Sequence, residues 1–295
     1  MTESFLRRED IPYKLNFQTA KRCSIKVGGE AKIAAFPKNC EQLIKLLQYF
    51  CLNSVRYCIV GKSSNMYFSD DGYDGVAVYT TELCAISERG GIFRAECGAS
   101  LPALIRRGAE CALEIAPALS GIPGSIGGAL KGNAGAFGAE FSDIFIEGEF
   151  YDTECCEFIT LKRCDLDFSY RSSLLKQRPL VFISGTVRAN PSEREKIIEK
   201  ISYYSTLRRN AHPHEPSLGS FFKKKGDISP ALLIDKLRLK GFTVGGAQVS
   251  TKHAGFIINK NNATASDVNA LADIIEKKVF DAYGVRLERE TVFVE

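Results

Sequence analysis

Residues 40–54 place Leu43, Ile44, Leu46, Leu47 and Phe50 at helical spacing and predict a helix. Arg56-Tyr-Cys-Ile-Val60 follows and reads as a short strand that leads straight into Gly61-Lys-Ser-Ser-Asn65. Residues 75–79 and 92–97 read as further strands. Residues 101–113, with Leu101, Leu104, Ile105, Ala109 and Ala112 in register, read as a second helix. Strands around 150–152, 158–161 and 180–183 complete a mixed α/β unit that ends near Arg188. Asn190-Pro-Ser-Glu193 signals a turn and then a helix N-cap, and the helix it opens runs to about Arg209, charged and amphipathic. Beyond it come a loop at 210–219, a helix around 231–239, strands near Val244 and at 256–258, and a last helix from Ser266. That helix carries Val268, Leu271, Ile274, Ile275 and Val279 on one face, and Gly284 follows it as a suitable C′ residue. The chain closes on Thr291-Val-Phe-Val294, and no internal repeat is visible.

The pattern breaks at 121–140, where seven glycines fall between Gly121 and Gly138, with Pro123, Ser125 and Asn133 among them. Glycine admits positive φ and lets a ligand approach the peptide plane without meeting a Cβ. Successive N–H groups turned to one point form a nest for an anionic oxygen. A flexible linker would carry Ser, Gln and charge, whereas Ile, Ala, Leu and Phe stand between these glycines. A packed loop that cradles a phosphate-rich cofactor is the expectation. The stretch 61–65 offers a second anion loop after its strand. A Walker A loop would need glycine at position 56, where Arg56 stands, and no G-x-G-x-x-G fingerprint occurs. Two anion loops without either fingerprint suggest an extended cofactor lying between lobes.

Composition narrows the class. Hydrophobic residues at 45% and charged residues at 25% are ordinary for a globular protein and argue against disorder. The net charge of +4, without a long basic run, suits a phosphorylated small molecule better than nucleic acid. Ten cysteines without a C-x-x-C spacing read as buried thiols of a reducing compartment. The N-terminus lacks the apolar core of a signal peptide, and no apolar run approaches the ~18 residues of a membrane span. A soluble cytoplasmic protein without a membrane partner is expected. The three histidines have no carboxylate or cysteine at ligand spacing, so no metal is expected.

Three further stretches hold candidate chemistry. Phe168-Ser-Tyr-Arg-Ser-Ser173 sets Arg171 among small hydroxyls; a surface turn is the alternative. Pro216-Ser-Leu-Gly-Ser-Phe-Phe-Lys223 presents the Ser220 hydroxyl from a tight turn, with no G-x-S-x-G elbow to suggest a hydrolase. Leu287-Glu-Arg-Glu-Thr-Val292 offers two carboxylates at what is otherwise a solvated strand end.

Taken together these segments resemble the UDP-N-acetylenolpyruvoylglucosamine reductase family over nearly the whole chain. The resemblance rests on Gly121-Ile-Pro-Gly-Ser-Ile-Gly-Gly128, Asn133-Ala-Gly-Ala136, Tyr170-Arg171, Gly219-Ser-Phe-Phe-Lys223 and His253-Ala-Gly-Phe-Ile-Ile-Asn259, in order and at matching spacing. It implies an α+β protein with an FAD-binding, vanillyl-alcohol-oxidase-like (PCMH-type) fold of two α/β lobes and a C-terminal α+β substrate-binding domain. On the sequence pattern the domains are 1–190, with lobes at about 1–75 and 76–190, and 191–295.

The resemblance further implies a flavoenzyme that takes electrons from NADPH and reduces UDP-N-acetylglucosamine enolpyruvate. It assigns FAD contacts to Gly61, Lys62, Ser63, Ser64 and Asn65 and to Gly121, Pro123, Gly124, Ser125, Gly127, Gly128, Asn133, Ala134 and Gly135. Arg171 matches the arginine that binds the enolpyruvyl carboxylate, Ser220 the proton donor, and Glu290 the carboxylate that helps stabilise the intermediate. Arg208, Arg209 and Lys223 are the cations expected at the sugar nucleotide. Ser63 stands where the family has a glycine, and Lys224-Lys225 where it has Asn-Pro. The short run from Tyr170 to Val181 lacks an inserted tyrosine loop, which places the chain in the loop-lacking subgroup. A flavin oxidase or dehydrogenase of a small alcohol or hydroxy acid on the same fold, and a non-catalytic nucleotide-sugar sensor, are the alternatives.

Overall fold

The computed structural model describes residues 1–295, and in it the chain gathers into two compact units that interleave along the sequence. The first comprises 1–14, 33–62 and 75–207; the second comprises 15–32, 63–74 and 208–295. This differs from a single cut at 190/191, and the cause is the second unit's apolar core. Cys23, Ile25, Val27 and Tyr67 pack there with Leu218, Phe221, Ile257, Leu271 and Val279, so two early segments are needed to fill it.

In the first unit, the predicted helix is Cys40–Asn53, capped by Asn39, whose side chain accepts from the Gln42 N–H at 2.9 Å. Such a cap contributes about 1 kcal/mol. Leu43, Leu46, Leu47 and Phe50 are its buried face. The strand Tyr57–Val60 runs parallel to residues 76–79. A five-stranded antiparallel sheet follows, ordered 157–162, 145–152, 180–188, 92–96, 86–89.

Two predicted boundaries move. The strand expected from residue 150 starts at Phe145, because Gly148 and Gly185 face each other in the ladder and leave room for the Phe145 and Phe182 rings. The helix expected to 113 ends at Glu110, because Leu113–Glu114 is extended and pairs with Asn190–Pro191. The long charged helix is Arg194–Ala211.

The second unit has a four-stranded antiparallel sheet ordered 217–220, 256–259, 247–249, 243–244. The expected loop at 210–219 therefore ends in a strand, Ser217–Ser220, with Gly219 at φ +82° where the register shifts. The last helix is Ala265–Tyr283, started by a reciprocal Thr264–Asp267 capping box and stopped by Gly284 at φ 67°. Asp70 accepts from the N–H groups of Ala265 and Ser266, each at 2.8 Å, and so holds that helix start to an early segment. The C-terminal strand Val292–Val294 lies parallel to Met66–Phe68.

All ten cysteines are free, but only Cys23 and Cys97 are buried; Cys84, Cys155, Cys156 and Cys164 are exposed. This corrects the expectation of buried thiols: the exposed four lie in turns, loops or a short helix outside both cores. No helix is long and apolar enough to cross a membrane.

Candidate active site

The glycine stretch is packed, as its apolar residues require, and part of it is helical. Ser125 caps the short helix Ile126–Lys131, its Oγ accepting from the Gly128 N–H at 3.3 Å. The Ile126 and Gly127 N–H groups donate to the Ala99 and Cys97 carbonyls at 2.8 Å each, so these two amides turn into the unit and not toward a ligand. Pro123 and Gly128 are exposed, while Gly121, Gly124 and Gly127 are partly so.

The structure brings Gly61 to Ser125: a Cβ at position 61 would collide with the Ser125 hydroxyl. Glycine at 61 is thus demanded by this close approach. That approach sets the two loops side by side, and neither 61–69 nor 121–139 contains an Asp or Glu to repel a diphosphate-bearing cofactor, so the residues fit one. Gly61 and the exposed Lys62 close the first unit's part of the loop.

Beside the glycine stretch, the turn 169–173 is fastened by three side chains. Asn133, fully buried at φ 40°, donates through Nδ2 to Glu140 Oε2 at 2.8 Å and to the Ser169 carbonyl at 3.1 Å, and accepts from the Ser142 N–H at 3.0 Å. Ser173, also fully buried, donates to the Lys131 carbonyl at 3.0 Å. Arg171 Nη2 donates to the Gly135 carbonyl at 2.8 Å, and a Cβ on Gly135 would lie 2.9 Å from Arg171 Nη1.

Arg171 itself is held at φ 56°, its guanidinium over the Tyr170 ring at 5.0 Å, and Lys176 donates to its carbonyl at 2.7 Å. A side chain kept in the left-handed region by this many contacts stores local strain, a condition that gathers at functional sites. Asn133, expected as a cofactor contact, spends both ends of its side chain on this scaffold. Ala134 and Gly135 supply the backbone next to it.

In the second unit the ladder does the assembling. Ser220 pairs with Phe256, the Phe221 N–H donates to the Gly255 carbonyl, and the Glu290 N–H donates to the Phe221 carbonyl, the last two at 2.8 Å. Lys223 N–H donates to the Glu288 carbonyl at 2.8 Å, so 288–290 runs alongside 221–223 and carries Glu290 to the Ser220 strand. Ser220 is exposed and Glu290 partly buried. Asn65 donates to the Glu290 carbonyl at 3.1 Å and accepts from the Val292 N–H at 2.9 Å, which fixes this segment to the other half of the first loop. Ser63 takes φ 48°, where glycine is at home, and its Oγ donates to the Met66 carbonyl at 2.9 Å; Ser64 follows, partly buried.

Lys223 Nζ forms an ion pair with Glu288. Arg208 lies 3.5 Å from His212 Nδ1, and the Arg209 carbonyl accepts from Lys252 at 2.6 Å.

Nothing in the spacing of the histidines points to a role, yet His212 and His253 both pack on Phe256, with ring centroids 4.8 and 4.9 Å away. Burial, helped by the Arg208 charge, pushes His212 down to about 4, and burial also lowers His253. Both imidazoles are therefore neutral near pH 7. The Gly255 N–H donates to His253 Nδ1 at 3.1 Å, which favours the Nε2–H tautomer. The neighbours of His212 and His253 in the sequence, Pro213 and Ala254, give no sign of this shared wall. No three His, Cys, Asp or Glu side chains converge as a metal site.

Comparison with known proteins accounts for both units. Residues 31–154 match the FAD binding domain family, and 212–294 the C-terminal domain of UDP-N-acetylenolpyruvoylglucosamine reductase. The reductase of that name from Caldicellulosiruptor bescii is 36% identical over 99% of this chain and 94% of its own length. The one from Lactobacillus acidophilus is 36% identical over 97% of this chain and 96% of its own. The crystal structure of the Thermus caldophilus reductase superposes with a TM-score of 0.82 at 26% identity, covering 97% of this chain and 99% of the other. With an FAD-binding fold, two glycine-lined loops and this likeness along its whole length, the chain belongs to the UDP-N-acetylenolpyruvoylglucosamine reductase family.

Proposed function

We propose that this protein is a cytoplasmic, FAD-dependent enzyme of peptidoglycan precursor synthesis that reduces UDP-N-acetylglucosamine enolpyruvate to UDP-N-acetylmuramate with electrons from NADPH. The observation that carries this reading is the backbone pairing that sets Glu290 next to the Ser220 strand, two groups the family uses on one intermediate. FAD, when bound, would supply the two-electron redox chemistry between NADPH and the vinyl group of the substrate. The chain's own residues do the rest.

Gly61, Lys62, Ser63, Ser64 and Asn65, with Gly121, Pro123, Gly124, Ser125, Gly128, Ala134 and Gly135, hold the cofactor through backbone and hydroxyl groups. Arg171 binds the enolpyruvyl carboxylate. Negative charge grows on that group and its α-carbon during reduction, and a fixed guanidinium is worth most where the charge develops. Ser220 delivers its proton to the α-carbon, a carbon basic enough to accept it if the geometry is held. Glu290 lends its carboxyl group to stabilising the same intermediate. Arg208, Arg209 and Lys223 bind the sugar nucleotide, Lys223 exchanging Glu288 for a phosphate oxygen.

Stopped-flow absorbance at flavin wavelengths separates the two half-reactions. Ser220→Ala is expected to slow reoxidation by the enolpyruvyl sugar by ~10²–10⁴ while reduction by NADPH keeps its wild-type rate. Reoxidation at the wild-type rate would remove Ser220 from the mechanism.

A further inference from the structure

The turn joining the strands Phe145–Asp152 and Glu157–Lys162 carries the chain's one adjacent cysteine pair, Cys155-Cys156. This turn is firmly built. Asp152, 2% exposed, accepts from the N–H groups of Glu154 at 3.0 Å and Cys155 at 3.3 Å, and pairs with Arg178 at 2.7 Å. Cys156 is held at φ 58°, a conformation uncommon for a residue with a Cβ. Its thiol meets that of Cys51, in the last turn of the helix Cys40–Asn53. Cys51 Sγ also donates to the Thr153 carbonyl at 3.0 Å, a second contact between the same helix end and the same turn. Tyr57 and Tyr151 border the pair. Cys156 is exposed and Cys51 half-buried, so a small oxidant reaches one thiol directly while the other waits beside it.

We propose that Cys51 and Cys156 are an oxidative modification site that closes to a reversible disulfide when a peroxide reaches Cys156. The Cys156 sulfur attacks the peroxide O–O bond, gaining one oxygen as a sulfenic acid and releasing water or an alcohol. The Cys51 sulfur then attacks the Cys156 sulfur. The S–O bond breaks, its oxygen leaves as water with the Cys51 proton, and the S–S bond forms. Burial raises the Cys51 thiol, which suits the waiting role and leaves first attack to Cys156. The bond would pin the helix end to the turn. Neither cysteine belongs to the residues assigned to cofactor or sugar nucleotide.

The test uses the full-length, FAD-loaded protein, treated with hydrogen peroxide, alkylated and digested without reductant. A peptide joining 51 to 156, about 2 Da lighter than its two halves and lost after dithiothreitol, is the expected product. In Cys51→Ser the sulfenic acid should persist on Cys156 and be captured by dimedone at least tenfold more than in wild type. A cross-link through Cys155 in place of Cys156 overturns the proposal. So does a wild-type Cys156 that oxidises without cross-linking, or that stays reduced while the exposed Cys84 and Cys164 react.

Discussion

At the scale of single residues, Asn133 is the most instructive position. Within the motif Asn133-Ala-Gly-Ala136 it reads as a cofactor contact, yet its amide donates to Glu140 and the Ser169 carbonyl and accepts from the Ser142 N–H, so both ends serve the fold. An asparagine both donates and accepts, so its sequence position cannot say whether a ligand or the fold takes those bonds. Asn133→Ala would strand the Ser142 N–H and put an alanine at positive φ. The expected loss is about 2–4 kcal/mol of stability from the orphaned donor and the backbone strain together. Because Ser169 opens the turn that presents Arg171, reoxidation by substrate should slow as well. Urea unfolding and stopped flow check the two effects, and an unchanged midpoint would show that Asn133 does not hold this turn. Ser63 teaches the converse. A serine stands where the family resemblance has a glycine, yet it takes a glycine-like φ, with its hydroxyl satisfied on the Met66 carbonyl.

At the scale of elements, most of what is legible comes from periodic apolar residues. The helices Cys40–Asn53 and Ala265–Tyr283 fall within a residue of where their apolar spacing, and Gly284 after the second, put them, while their caps Asn39 and Thr264 emerge only in the structure. The helix Ile126–Lys131 was not foreseen, because glycine disfavours helix and the cap at Ser125 is visible only once Gly128 turns back to it. The early start of the strand Phe145–Asp152 was hidden by Gly148, which weakens the strand pattern while serving the ladder. A Cβ there would lie 2.8 Å from Phe182 Cε2 and 3.1 Å from Phe145 Cζ. Those rings are packed against each other and cannot withdraw at no cost. Gly148→Ala should therefore destabilise by about 1–3 kcal/mol despite the entropy that alanine saves in the unfolded chain. Thermal melts decide it: a raised Tm would mean that the aromatic pair yields readily.

At the scale of the whole molecule, the consequential feature is that the second unit borrows residues 15–32 and 63–74 from the N-terminal half. A fragment of residues 191–295 lacks Cys23, Ile25, Val27 and Tyr67 from its core, lacks Asp70 at the start of its longest helix, and leaves Val292–Val294 without its partner strand. It is expected to show no cooperative melting by circular dichroism. A sharp transition at the full-length Tm would disprove the shared core. The sequence by itself determined the family, the FAD-binding class, the principal helices, some of the strands and the glycine-lined loops, because these rest on local spacing and on ordered motifs. Only the tertiary structure decided that Asn133 serves the fold, that Glu290 runs beside the Ser220 strand, that two histidines share one neutral wall, and that early segments complete the late core. Each of those depends on contacts between residues far apart in the chain, and no local pattern of hydrophobicity or turn chemistry encodes which distant partner a group will meet.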